Sequence, residues 1–254
     1  MVMSEKESQD KVFEDLAIDE FLDSALEGYS ATVFAYGQTG SGKTYTMAGK
    51  EEIFTNDIYQ RDPSEGIIPR AIHSLWKRIS GSKNTYYIKA SYTEIYNEQV
   101  RDLLNLSSGV LHCRWNPSSG FFVEDLVVVD CTNVDDMIAV LHEGMQNRKS
   151  ASHELNKDSS RSHSILTMYM ISEQKSGNQT FKKYGKLSFV DLAGSERLKE
   201  SKSQGDMIKE TGNINKSLFT LGKVIKGLSD KKTKTLYIPY RDSKLTMLLM
   251  DSLG

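Results

Sequence analysis

Apolar positions recur at helical spacing over residues 11–27, where Phe13, Leu16, Ala17, Phe21 and Ala25 share one side and Gly28 follows as a stop. That spacing predicts one helix. Residues 31–36, ATVFAY, form an unbroken apolar run of strand length, and Lys43 opens a short helix after it. Residues 49–66 are polar, with Pro63 and Gly66, and read as a long surface loop; 67–80 return to helical spacing. TYYIKASYTEIYNEQV (85–100) alternates and is rich in Tyr and Ile, which predicts one strand, and 110–129 reads as a β-hairpin turning at NPSSG. A helix is expected at 133–149. SHSILTMYMIS and KLSFVDLAG are strands joined by a polar turn around KSGNQ, and helices follow at 210–228 and 241–252. No repeat or low-complexity linker interrupts the series. Strands alternating with helices around one sheet give an α/β fold.

The 254 residues suffice for one large domain or two small ones, and 38% hydrophobic with 26% charged residues suits a globular protein. No apolar run reaches the length of a membrane span, and MVMSEKESQDK has no apolar signal core. Cys113 and Cys131 form no spacing motif and read most simply as reduced thiols. Total charge is −2, which excludes a general polyanion binder. Residues 209–244, however, hold nine Lys or Arg against three Asp or Glu. That local excess points to an anionic partner at one region.

The chemistry centres on VFAYGQTGSGKTYTM. Gly37-x-x-x-x-Gly42-Lys43-Thr44 is a phosphate-loop pattern set after a strand and before a helix. Glycines let the backbone of Gly37, Gln38, Thr39, Gly40, Ser41 and Gly42 curl so that its N–H groups face phosphate oxygens, and a helix N-terminus adds positive potential. Lys43 is placed to reach the β- and γ-phosphates, and the Thr44 hydroxyl to ligate Mg²⁺. Hydrolysis needs a second carboxylate near the metal and a sensor of the γ-phosphate. Asp191, at the end of a buried strand, suits a Mg²⁺-water ligand, and Gly194 offers its N–H to the γ-phosphate. Taken alone, Asp191 reads equally as the cap of a turn. In NKDSSRSH, Ser159 and Ser160 are hydroxyls able to close over phosphates, and Arg161 has a possible ion-pair partner in Glu196; alone, this is an ordinary polar loop.

Together GQTGSGKT, NKDSSRSH and DLAGSE resemble the kinesin motor domain in order and spacing, as do GIIPRAI, SYTEIYNEQVRDLL, NINKSLFTLGKVI and IPYRDSKLT. The resemblance covers nearly the whole chain. It implies a P-loop NTPase with a mixed central sheet flanked by helices on both faces, and Mg²⁺ with ATP or ADP as cofactors. It assigns the phosphate loop to 37–44, switch I to 156–163 and switch II to 191–196. Ser160 would join Thr44 and Asp191 (through water) at the metal, Ser159 would help hold the attacking water, and Arg161 with Glu196 would latch the two switches. Tyr45 occupies a position that packs on adenine in the family, although a core role is equally open to a Tyr there. Asn156 and His163 take supporting roles. Myosins differ in phosphate loop and second switch, and NKDS and NKSL both lack the final Asp of a guanine-reading motif.

The basic segment gains meaning from the same resemblance. A helical projection puts Ile214, Leu218, Leu221, Ile225 and Leu228 on one side, with Lys216 and Lys223 opposite and Lys226 on the flank. Lys231, Lys232 and Lys234 follow, then Arg241 and Lys244. In kinesins this region meets the acidic surface of microtubules, so the expected setting is the cytoplasm and its cytoskeleton. No nucleic-acid motif is present, and neither nucleic-acid binding nor membrane insertion is expected. The resemblance also implies an incomplete sheet: the family's opening strand with its Arg-x-Arg-Pro segment has no counterpart here, and its last strand, last helix and neck linker lie beyond MDSLG. On that reading oligomerisation depends on segments absent from this chain. The function implied is a microtubule-stimulated ATPase and motor; the alternatives are a non-motile microtubule-binding module without ATP turnover, and a P-loop enzyme of another class.

Overall fold

One pairing organises the sheet. β9 (Gln179–Asp191) runs parallel to β1 (Ser30–Ala35) on one side and antiparallel to β8 (His163–Ser176) on the other. The registers place both Ala35 and Ser164 beside Asp191. The end of β1, the end of β9 and the start of β8 therefore share one rim, where the segments carrying the candidate motifs emerge. In open α/β sheets ligands bind outside such carboxyl strand ends. The computed structural model describes residues 7–54, 61–154, 159–176, 179–196, 206–229 and 237–254.

From β8 the sheet continues through β2 (Thr85–Tyr96), β3 (Gln99–Asp102) and β4 (Val110–Leu111), and β7 (Val129–Cys131) also pairs with β2. A separate hairpin, β5 (Cys113–Asn116) and β6 (Gly120–Val123), turns at the expected NPSSG.

Alternation along the strands feeds two cores. On one face Leu166, Met168, Leu187 and Phe189 meet α2 (Ile18–Leu26), α4 (Ile67–Ser80) and α5 (Val134–Glu154) through Leu22, Ile72, Leu75, Met137 and Leu141. On the other, Ile165 and Val190 meet α6 (Asp206–Ser229) and α7 (Lys244–Leu248) through Leu221 and Leu245. Each such fully buried side chain is worth about 1.5–3 kcal/mol. The mixed sheet is thus covered by helices on both faces. No helix among the described residues is long and apolar enough to cross a membrane.

Several elements depart from the sequence pattern. The helix expected at 11–27 is two helices, α1 (Gln9–Asp15) and α2, broken at Ala17, whose φ is +50°. The break resets the helical phase: the buried residues are Val12, Ile18, Leu22 and Ala25, and Phe21 is exposed. The strand expected at 85–100 is a hairpin, because Asn97 and Glu98 both take positive φ and turn β2 into β3. That pair of left-handed residues is the geometry of a two-residue hairpin turn. The final helix is divided into a 3-10 turn at Tyr240–Asp242, α7 and α8 (Met250–Leu253), with the Ser243 hydroxyl accepting from Leu245 N–H at the start of α7. The inward stripe of α6 is Ser217, Thr220, Leu221 and Val224, with Ile225 and Leu228 exposed; the side chain of Ile214 lies outside the described residues. A projection built on hydrophobicity overlooks Ser217 and Thr220, small polar side chains that are buried, Ser217 against His163 of β8.

Candidate functional site

β1 leads into the loop 37–42 and then α3 (Lys43–Ala48). Gly40 and Gly42 have φ of +77° and +85°, a region open to glycine and strained for other residues. Lys43 turns back on its own loop, donating from Nζ to the carbonyls of Gly37 at 3.0 Å and Gln38 at 2.9 Å. Burial pushes the Lys43 ammonium down, with Asp191 and Glu196 opposing it. A cavity of about 330 Å³ opens here, lined by Thr39, Lys43, Thr44, Tyr45, Ser160 and Asp191, among others. Ser41 and Gln38 are exposed on the loop.

Asp191 is the hub of the rim. Its Oδ2 accepts from the Thr44 hydroxyl at 2.7 Å and from Arg148 Nη1 at 2.7 Å. Its Oδ1 is buried with no hydrogen-bond partner. A buried carboxylate oxygen without a donor is costly unless something fills its place. A metal-bound water beside the Thr44 hydroxyl would supply the missing donor, so these residues fit a hydrated Mg²⁺. Arg148 was not singled out from sequence. It comes from the last turns of α5 and also donates to Ser164 Oγ at 3.0 Å and the Ser162 carbonyl at 2.9 Å. Burial works against its charge, but Asp191 and then Tyr92 outweigh burial and hold its pKa above the ordinary value. A lone arginine near a helix end normally reads as a surface cation; only the need of a buried strand-end carboxylate for a counter-charge would have marked it.

Segments 159–161 and 191–196 are joined through their backbones. Gly194 N–H donates to the Ser160 carbonyl at 2.7 Å, and Ser195 N–H to the Gly37 carbonyl at 3.1 Å. The Gly194 amide expected to face a γ-phosphate is thus occupied by the Ser160 carbonyl. Glu196 is also placed differently. Its carboxylate accepts from Thr39 N–H at 3.0 Å and Thr39 Oγ1 at 2.6 Å. The expected Arg161–Glu196 ion pair is not among those made by the described residues. The physical reason is reach: the 191–196 segment folds directly over the phosphate loop, where donors on Thr39 are nearest. Burial disfavours the Glu196 carboxylate, but the Thr39 hydrogen bonds and Lys43 outweigh it and keep its pKa below the ordinary range. Ser159 and Arg161 form a 3-10 turn with Ser160; the Ser159 side chain and Asn156 lie outside the described residues. Tyr45 is exposed at the cavity, and its carbonyl accepts from Gln9 Nε2 at 2.8 Å, a neighbour the sequence did not suggest. His163, buried, accepts on Nδ1 from Ala193 N–H at 3.0 Å and lies 2.6 Å from Ser217 Oγ through Nε2.

The basic residues of α6 border this rim: Lys216, Lys223 and Lys226 line a neighbouring cavity together with Tyr36 and Ser195. Lys216, Lys223 and Lys226 are exposed on α6, and Lys223 Nζ sits 4.5 Å from the ring centroid of the exposed Phe219. Arg241 stands over the Trp115 and Phe121 rings, at 6.0 and 5.8 Å. Lys244 opens α7, its N–H donating to Glu98 Oε2 at 2.8 Å. Lys231, Lys232 and Lys234 lie outside the described residues.

A glycine-bent loop running into a helix at the carboxyl end of a parallel strand pair, faced by a strand-end aspartate, defines a P-loop nucleotide-binding fold. The family model for the kinesin motor domain matches residues 1–254, and the chain belongs to that family. It is 42% identical over 261 residues to the kinesin-like protein KIN-12E of Oryza sativa subsp. japonica, covering 100% of this chain and 14% of that protein. It is 42% identical over 262 residues to the kinesin-like protein KIF1A of Rattus norvegicus, covering 97% of this chain and 15% of that protein. A solved structure of a fast kinesin superposes with a TM-score of 0.84 at 38% identity, over 96% of this chain and 66% of that one. The chain therefore spans about a seventh of the length of these two curated relatives.

Proposed function

We propose that this chain is a microtubule-based motor domain that binds and hydrolyses Mg-ATP and couples nucleotide state to microtubule affinity and movement. The observation that carries the reading is the Thr44–Asp191 hydrogen bond beside the orphaned Asp191 Oδ1, at the mouth of a cavity lined by the phosphate loop. Mg²⁺, held by Thr44 and Ser160 directly and by Asp191 through water, would neutralise charge on the transferring phosphoryl group. Lys43 would leave the loop carbonyls for phosphate oxygens, and the backbone N–H groups of 38–43 would hold the rest of the phosphates. Gly194, Ser159 and Ser160 would reorganise around the γ-phosphate and the water, and Arg161 and Glu196 would meet as that closure completes. Lys216, Lys223, Lys226, Arg241 and Lys244, with Lys231, Lys232 and Lys234, would face the acidic microtubule in the cytoplasm.

The test is phosphate release with and without microtubules. Lys43→Ala should abolish ATP binding; Glu196→Ala should bind ATP but stop turnover. Unchanged release by both variants refutes the reading. Pelleting with microtubules that ignores ATP, without any turnover, would instead identify a static binding module.

A further inference from the structure

The hydrogen bonds of His163 reach past the nucleotide rim into the basic helix. Its Nδ1 accepts from Ala193 N–H at 3.0 Å, so the ring proton is on Nε2, which donates to Ser217 Oγ at 2.6 Å. His163 and Ser217 are each 2% exposed and Ala193 is fully buried, so water does not compete for these bonds. Each end of the bridge is tied to a candidate working part. Ala193 lies between Asp191, the hub of the rim, and Gly194, whose N–H holds the Ser160 carbonyl. Ser217 sits on the inward stripe of α6, and the outward side of the same helix carries Lys216, Phe219, Lys223 and Lys226.

The surrounding contact is apolar, through Leu221 of α6 against Val190, Leu192 and Ile165. Apolar packing tolerates small sliding, because its energy follows buried area. A short hydrogen bond does not, because its energy falls steeply with distance and angle. We propose that His163 is a positioning residue that transmits movement of the 191–196 segment to α6, through Ala193 N–H, the imidazole and Ser217, so that the nucleotide rim sets the pose of the basic face. This rests on the motor reading above.

The experiment measures ATP turnover against microtubule concentration for the 254-residue chain, for Ser217→Ala, for His163→Asn and for the double variant. Ser217→Ala removes the helix end of the bridge without touching the rim. It should keep its microtubule-free turnover and its half-saturating microtubule concentration within about twofold, while stimulated kcat falls about tenfold. His163→Asn should lose stimulation to a similar extent, and the double variant should lose no more than either alone, the non-additivity of two ends of one link. Hydrogen exchange gives a second readout: Mg-ATP should change protection of the 215–229 amides in the parent chain and leave them unchanged in Ser217→Ala. Stimulation and exchange in Ser217→Ala matching the parent overturn the bridge alone, as do additive losses in the double variant. A parent chain that microtubules do not stimulate overturns the motor reading and the bridge with it.

Discussion

Arg148 and Asp191 form a buried ion pair, Nη1 to Oδ2 at 2.7 Å, with side chains 10% and 8% exposed. The pair fixes the carboxylate that faces the phosphate loop. A buried pair is weak evidence for net stability, but breaking one leaves an uncompensated charge. Arg148→Ala should therefore lower stability by about 3–5 kcal/mol, read as a lower urea midpoint, and adding Asp191→Asn should restore part of that loss.

His163 gives the fold an acid-sensitive contribution. Burial, reinforced by the Arg148 guanidinium, pushes its imidazole down from 6.5 to about 3. As pH falls, the unfolded chain takes up this proton first. The stability from neutral His163 is thus complete above pH 6.5 and is lost towards about 3, with a limiting slope of about 1.4 kcal/mol per pH unit. Urea midpoints at about pH 7 and about pH 5 should fall more for the parent than for His163→Gln, and parallel profiles would contradict the assignment.

Two glycines separate switching from folding. A Cβ on Gly194 would overlap the Glu196 carboxylate and Thr39 Oγ1, both movable side-chain ends. Gly194→Ala should melt within a few degrees of the parent yet lose about a hundredfold in turnover, because a methyl group at 194 would keep this amide from closing on the γ-phosphate. A Cβ on Gly185 would overlap the Ala25 backbone carbonyl where α2 lies on β9. Gly185→Ala should cost at least about 1–3 kcal/mol, since backbone has to move. Thermal melts with phosphate release distinguish the two.

The exposed face of α6 should be dispensable for folding. Lys216→Ala with Lys223→Ala should leave the melting temperature unchanged and weaken microtubule pelleting about tenfold at low salt. The difference should shrink as the screening length falls to about 8 Å at physiological salt. Equal pelleting at every salt concentration would remove this face from the binding surface.

The phosphate loop, the Asp191 strand end and the lysines of α6 were legible because each is local: a spacing, a strand terminus, a run of charge. The corrections share a different cause. Ala17 and Glu98 take left-handed backbone that their side chains do not announce, and Asn97, which favours it, is hidden within an alternating run, so one expected helix is two and one expected strand is a hairpin. Arg148 and Ser217 matter through partners 43 and 54 residues away, Asp191 and His163, and register across a sheet creates those meetings. The resemblance pairs Glu196 with Arg161, whereas in this structure the packing of its segment sets it on Thr39.

Glu98 carries a consequence for the whole basic layer. From its left-handed turn between β2 and β3 it accepts from the Ser243 hydroxyl at 2.7 Å and Lys244 N–H at 2.8 Å. α7 is thereby bolted to the β2–β3 turn, on the same rim as Asp191 but two strands across from β9, while α6 is hydrogen-bonded to the start of β8 through an imidazole. In the bridge proposed above, the imidazole would be the pull-cord of that layer and the Glu98 anchor its pivot.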